Sequence, residues 1–96
     1  MRPSVALEKN RFAIREVISR FHTTNPRIFG SVLHGEDEEG SDLDLLVDPT
    51  SKTTMMDIGA IRYELRSLLG IEVDVLTPKA LPDSFREQVL AEAVPV

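Results

Sequence analysis

Cysteine is absent from the 96 residues, which excludes disulfides and thiolate metal sites. Histidine occurs only at His22 and His34, isolated from one another, so carboxylates are the remaining metal ligands. No apolar run approaches the roughly 20 residues that a bilayer span needs. The start Met1-Arg2-Pro3-Ser4 has no signal-peptide core, so the expected location is the cytoplasm, without a membrane partner. Positive charge is also short. Eleven Lys and Arg against 16 Asp and Glu leave a formal charge of −5, which repels a phosphate backbone and argues against direct nucleic-acid binding. Length leaves no room for a second lobe, and residues 1–96 are expected to form a single domain near the lower limit of a self-sufficient core. A composition of 42% hydrophobic and 28% charged residues is that of a folded chain rather than a disordered one.

Periodicity predicts an amphipathic helix over about residues 4–21, with Ile14, Val17, Ile18 and Phe21 on one face. Thr24-Asn25-Pro26 interrupts it, and Arg27-Ile28-Phe29 reads as a short strand ending at Gly30. Ser31–His34 suits one helical turn. Residues 35–41, with four consecutive acids between Gly35 and Gly40, read as a solvated loop, and Glu36, Asp37, Glu38 and Glu39 are given no site. A strand is expected from Asp42 to Val47, closed by Asp48-Pro49. Thr54 and Asp57 have the spacing of a capping box for a helix that carries Ile58, Ile61, Leu65, Leu68 and Leu69 and stops at Gly70. A third strand is expected over residues 71–76 and a last helix from Pro82 to about Ala93. The order predicts an α/β (α+β) fold: a small mixed sheet of three to four strands with helices packed on it. Met55 and Met56 are expected to pack, and His22 to cap the end of its helix.

The chemistry lies where charge interrupts a greasy segment. In Ser41-Asp42-Leu43-Asp44-Leu45-Leu46-Val47 the two aspartates are two residues apart, so on a strand they point the same way. Burying both beside leucine and valine costs several kcal/mol unless a cation or proton offsets the charge. Mg²⁺, which takes a few carboxylates together with phosphate oxygens, is the simplest remedy. Asp74, between Val73 and Val75 on the third strand, joins them if the two strands are neighbours. Phosphoryl and nucleotidyl transfer use such a set: Asp42 and Asp44 to hold the metal, Asp74 to complete a second metal site or take the nucleophile's proton. Ten residues before Asp42, Gly30-Ser31 offers backbone N–H groups and a hydroxyl to a triphosphate. Ser41 is a candidate for positioning the nucleotide from the other end of the loop. Arg27 is a further candidate for the triphosphate, against a plain surface role, whereas Lys52, Arg62, Arg66 and Lys79 read as surface cations.

Gly-Ser, ten residues, Asp-x-Asp with apolar flanks and a later strand aspartate resembles the signature of the DNA polymerase β-like nucleotidyltransferase superfamily. Phe29-Gly30-Ser31 with Gly35, Ser41 to Val47, the Val73-Asp74-Val75 strand and the ending Leu90 to Val96 look like its minimal nucleotidyltransferase branch (MNT, or MntA-like), over nearly the whole chain. That resemblance implies a nucleotidyltransferase fold and the antitoxin half of a HEPN/MNT toxin–antitoxin pair. Active members of that branch transfer AMP from ATP to a tyrosine of the partner HEPN ribonuclease toxin. Carried over by position, Asp42, Asp44 and Asp74 are the catalytic and metal-binding carboxylates, and Gly30 and Ser31 the phosphate contacts. One departure is visible: many members have Ala-Arg-Gly after this Gly-Ser-x, where this chain has Leu33-His34-Gly35. The small size agrees with an acceptor presented by another polypeptide. A non-catalytic antitoxin that masks its partner stoichiometrically is the competing expectation, and transfer to a small molecule or nucleic-acid end is a third.

Overall fold

The computed structural model describes residues 1–96, in the order α1 (Pro3–Lys9), α2 (Arg11–Arg20), β1 (Thr23–Phe29), β2 (Leu43–Pro49), α3 (Met55–Leu69), β3 (Val73–Leu76), a 3-10 turn (Pro78–Ala80), α4 (Asp83–Glu92) and β4 (Val94–Pro95). The four strands form one mixed sheet in the order β3-β2-β1-β4. β1 runs antiparallel to both β2 and β4, while β3 is parallel to β2 and reached through α3. Parallel neighbours need such a crossover, and the 15-residue α3 supplies it.

Strand alternation divides the sheet into two unlike faces. Ile28, Leu43, Leu45, Val47, Val73 and Val75 point to one side, where Ala6 and Leu7 of α1, Ile14, Val17 and Ile18 of α2, and Ile61, Leu65 and Leu69 of α3 complete the main core. Phe29 and Leu46 point to the other side and meet Leu81, with Leu76, Val89 and Ala93 against them. The main core therefore lies on the three-helix side, and α4 with the 3-10 turn covers the second.

Local chemistry explains where the elements begin and end. Thr54 and Asp57 form the expected capping box: the Thr54 side chain accepts from the Asp57 N–H, and Asp57 accepts from the Thr54 N–H. That backbone bond, with help from His22, holds the Asp57 carboxyl below its ordinary range. Gly70 ends α3 in the left-handed conformation, φ 70°.

Several expectations need correction. The single helix over 4–21 is two, because the Asn10 side chain turns back to donate to the Ala6 carbonyl at 2.8 Å and its backbone leaves helical geometry. β1 begins at Thr23 rather than Arg27, and an irregularity between Thr24 and Arg27, with Asn25 at φ 53°, absorbs the interruption that the sequence pattern marked. β2 runs on through Asp48 and Pro49. His22 does not cap its helix through the ring: with φ 62° it offers its carbonyl to the hydroxyls of Thr50 and Thr53, and its ring faces Asp57 at 3.3 Å. Met55 and Met56 do not pack; they are 86% and 84% exposed. Leu68 likewise faces outward. The acidic loop is not solvated throughout, since Asp37 is only 4% exposed.

Candidate active site

β2 and β3 are adjacent and in register, with Asp44 directly opposite Asp74. Asp44 also faces Phe29 of β1, so it sits between two strands on the α4 side of the sheet. Asp42 lies at the entrance to β2, exposed, two residues before Asp44, and the Leu43 N–H that follows it donates to the Glu72 carbonyl at 2.9 Å. Asp74 is exposed and Asp44 half-buried. Burial first, then the charges of Asp74 and Asp42 and a hydrogen bond with Asp74, push the Asp44 carboxyl up to about 6. The strand adjacency assumed for convergence is present. No three acidic or imidazole groups, however, close around a single point.

Gly30 explains how Asp44 fits. A Cβ on Gly30 would run into the Asp44 carboxylate, whose Cγ lies 3.1 Å from that position, and the glycine has φ 75°. The backbone thus passes against the carboxylate where only glycine is accommodated. From Gly30 the chain makes one helical turn: the His34 N–H donates to the Gly30 carbonyl at 3.2 Å and the Gly35 N–H to Val32 at 3.3 Å. Val32 anchors this turn by burying its side chain in the main core. The N–H groups of Ser31, Val32 and Leu33 donate to no backbone carbonyl, as is usual for the first N–H groups of a helical turn. Such a row of donors can receive the oxygens of a phosphate.

The loop joins the two halves of the site. Glu36 N–H donates to the Ser31 carbonyl at 2.9 Å, and Ser41 N–H to the Glu38 carbonyl at 3.0 Å. The Ser41 hydroxyl accepts from the Glu38 N–H at 2.9 Å, so this side chain closes the loop before it reaches any nucleotide. Its hydroxyl proton stays available for donation. Arg27 is directed away from the carboxylates: its guanidinium pairs with Asp48, farther along β2. Arg62 and Arg66 converge on Glu72, with Arg62 also donating to the Val73 carbonyl at 3.2 Å, so both are engaged at the β3 edge. His34, on the phosphate-type turn, lies 3.2 Å from Glu92 at the end of α4.

Chemically, the donor set is made of hard oxygens only, from two adjacent strands, with a mutual repulsion that a divalent cation would relieve. That set fits Mg²⁺, which completes its shell with water and substrate phosphate oxygens rather than with a full protein cage. Sequence reasoning missed Asp37, whose burial had no periodic signal inside a run of acids.

Comparisons with known proteins agree with this geometry. Residues 13–96 match the family described as nucleotidyltransferase domain. A Methanocaldococcus jannaschii chain named as a protein adenylyltransferase is 41% identical over 69 residues, covering 72% of this chain and 74% of that one. The protein adenylyltransferase MntA of Thermococcus cleftensis is 33% identical over 80 residues, covering 83% and 81%. A solved structure described as a minimal nucleotidyltransferase superposes with a TM-score of 0.86 at 39% identity, over 97% of this chain and 95% of that chain. A toxin–antitoxin crystal structure with AMP-PNP shares the fold at a TM-score of 0.75 and 19% identity, over 90% and 71%. With its mixed four-stranded sheet and its Gly30–Asp44 contact between strands β1 and β2, the chain belongs to the nucleotidyltransferase domain family and is a nucleotidyltransferase.

Proposed function

We propose that this enzyme transfers AMP from ATP to a tyrosine hydroxyl of a partner HEPN-type ribonuclease toxin, in a Mg²⁺-dependent reaction, and so acts as its antitoxin in the cytoplasm. The observation that carries the reading is the packing of the Asp44 carboxylate against the Gly30 backbone, opposite Asp74 and beside the donors of the Ser31 turn. The adenylyltransferase names of the relatives and the toxin–antitoxin assembly of the structural neighbour support the substrate and partner class.

In this reading the turn at Gly30-Ser31 receives the triphosphate tail through its free N–H groups. Asp42, Asp44 and Asp74 would hold Mg²⁺, which neutralises polyphosphate charge and lowers the pKa of an attacking hydroxyl. The acceptor oxygen attacks the α-phosphorus in line. The new O–P bond forms as the bond from the α-phosphorus to the bridging oxygen breaks, and pyrophosphate leaves with that oxygen. Asp74, exposed at the β3 edge of the site, accepts the hydroxyl proton.

Incubation of the chain with labelled ATP, Mg²⁺ and the partner tests this directly. Label should appear on the partner at sub-stoichiometric amounts of enzyme, and Asp42→Asn with Asp44→Asn should reduce it by roughly a thousandfold. Protection of the partner that survives the double substitution, without label, would instead establish stoichiometric masking.

A further inference from the structure

Loop residues 35–41 contain no apolar side chain, so ordinary core burial does not fix their position. One residue of this loop is nevertheless enclosed. The Asp37 side chain is fully buried, and three bonds tie the residue to the start of α1. The Ser4 N–H donates to Asp37 Oδ2 at 2.9 Å, the Arg2 Nη2 to Oδ1 at 3.2 Å, and the Arg2 Nε to the Asp37 carbonyl at 3.1 Å. The bond from Ser4 first, with Arg2, holds this carboxyl below its ordinary range. α1 is itself a firm anchor, because Pro3, Ala6 and Leu7 are sunk in the core. The partners are 33 and 35 residues away in sequence, so the restraint is tertiary rather than part of the loop's own turns.

We infer that Asp37 is a positioning residue for the nucleotide site: by clasping α1 it fixes the loop whose two ends present Ser31 and Asp42. The local bonds on either side relay the restraint. Glu36 is held to Ser31, and Glu38 and Ser41 are held to each other, so a fixed Asp37 determines where both ends of the loop stand. Releasing it lets the Ser41-Asp42 end drift from the Gly30-Ser31 turn. Because Asp42 belongs to the proposed metal site, its drift should weaken Mg²⁺-nucleotide binding and lower kcat together. This inference rests on the reading of Gly30 and Asp44 as a nucleotide site.

The test is calorimetric titration of Mg²⁺ and a non-hydrolysable ATP analogue into four proteins: wild type, Asp37→Ala, Arg2→Gln and Thr54→Ala. Thr54→Ala removes the cap of α3, distant from the loop, and controls for lost stability alone. Asp37→Ala should weaken binding roughly tenfold, and Arg2→Gln, which leaves the Ser4 bond and a folded chain, about threefold. Thr54→Ala should bind as the wild type does. Amide exchange should quicken at residues 38–42 in Asp37→Ala while Leu45–Val47 stay protected. Equal affinity in all four proteins would overturn the clasp alone. A wild type that binds no nucleotide would overturn the site reading, and the inference with it.

Discussion

The two faces of the sheet do different work. On one, three helices close over Leu43, Leu45, Val47, Val73 and Val75 in a continuous apolar cluster. On the other, α4 and the 3-10 turn cover Leu46 and Phe29 near β4 but leave Asp44 half-buried and Asp74 exposed. A domain of this size can carry a strained carboxylate only because the opposite face supplies most of the apolar burial. The lesson is a division of labour by parity: odd-numbered positions 43, 45 and 47 of β2 hold the fold, and even-numbered positions 42 and 44 hold the charge.

That contrast can be broken experimentally. Leu45→Ala, on the three-helix face with no exposed surface, should destabilise by about 3 kcal/mol in denaturant titration. Val89→Ala, from α4 on the other face, should cost about 1 kcal/mol. Equal losses would mean that the two faces contribute alike, and the division would fail. Gly30→Ala tests the seam between them: the added methyl meets the Asp44 carboxylate and φ 75° disfavours it. The expected loss is about 1–2 kcal/mol, with Mg²⁺-nucleotide binding abolished by calorimetry.

The smallest effect concerns protons. Asp44 is raised from 3.8 to about 6, so the folded state holds its proton more tightly than the unfolded chain does. Its contribution is therefore most favourable below pH 3.8 and is lost as pH rises through about 6, remaining unfavourable above that. After allowance for partial solvent screening, Asp44→Asn should gain on the order of 1 kcal/mol at pH 7. Melting temperatures of the wild type and Asp44→Asn should separate as pH rises from 4 to 7; parallel curves would show that the strand neighbours do not burden this carboxylate.

Much of this could be read before folding was considered. The capping box at Thr54 and the stop at Gly70 depend on neighbours within a few residues and are found where the spacing put them, while β3 keeps its alternation but begins at Val73 rather than Ile71. Asn10 was harder, because the apolar face read from Ile14 to Phe21 says nothing of a residue before it whose side chain bonds backwards. Met55 and Met56 misled in the opposite direction: apolar character says nothing about whether a partner surface exists at that turn. The contact between Gly30 and Asp44 joins two candidates whose short spacing marked them in the sequence, whereas Asp37 was hidden among three solvated acids.

From its sequence alone the chain settled the alternation that places Asp42 and Asp44 on one side, the Gly30-Ser31 pair ahead of them, and a charge balance resting on carboxylates. Folding decided the rest: that β3 lies beside β2 with Asp74 opposite Asp44, that Arg27 is spent on Asp48, and that Asp37 reaches back to Arg2 and Ser4. The reason is range. Backbone preference and side-chain parity act over a few bonds, but a carboxylate's charge and burial are set by whatever other segments come to rest beside it.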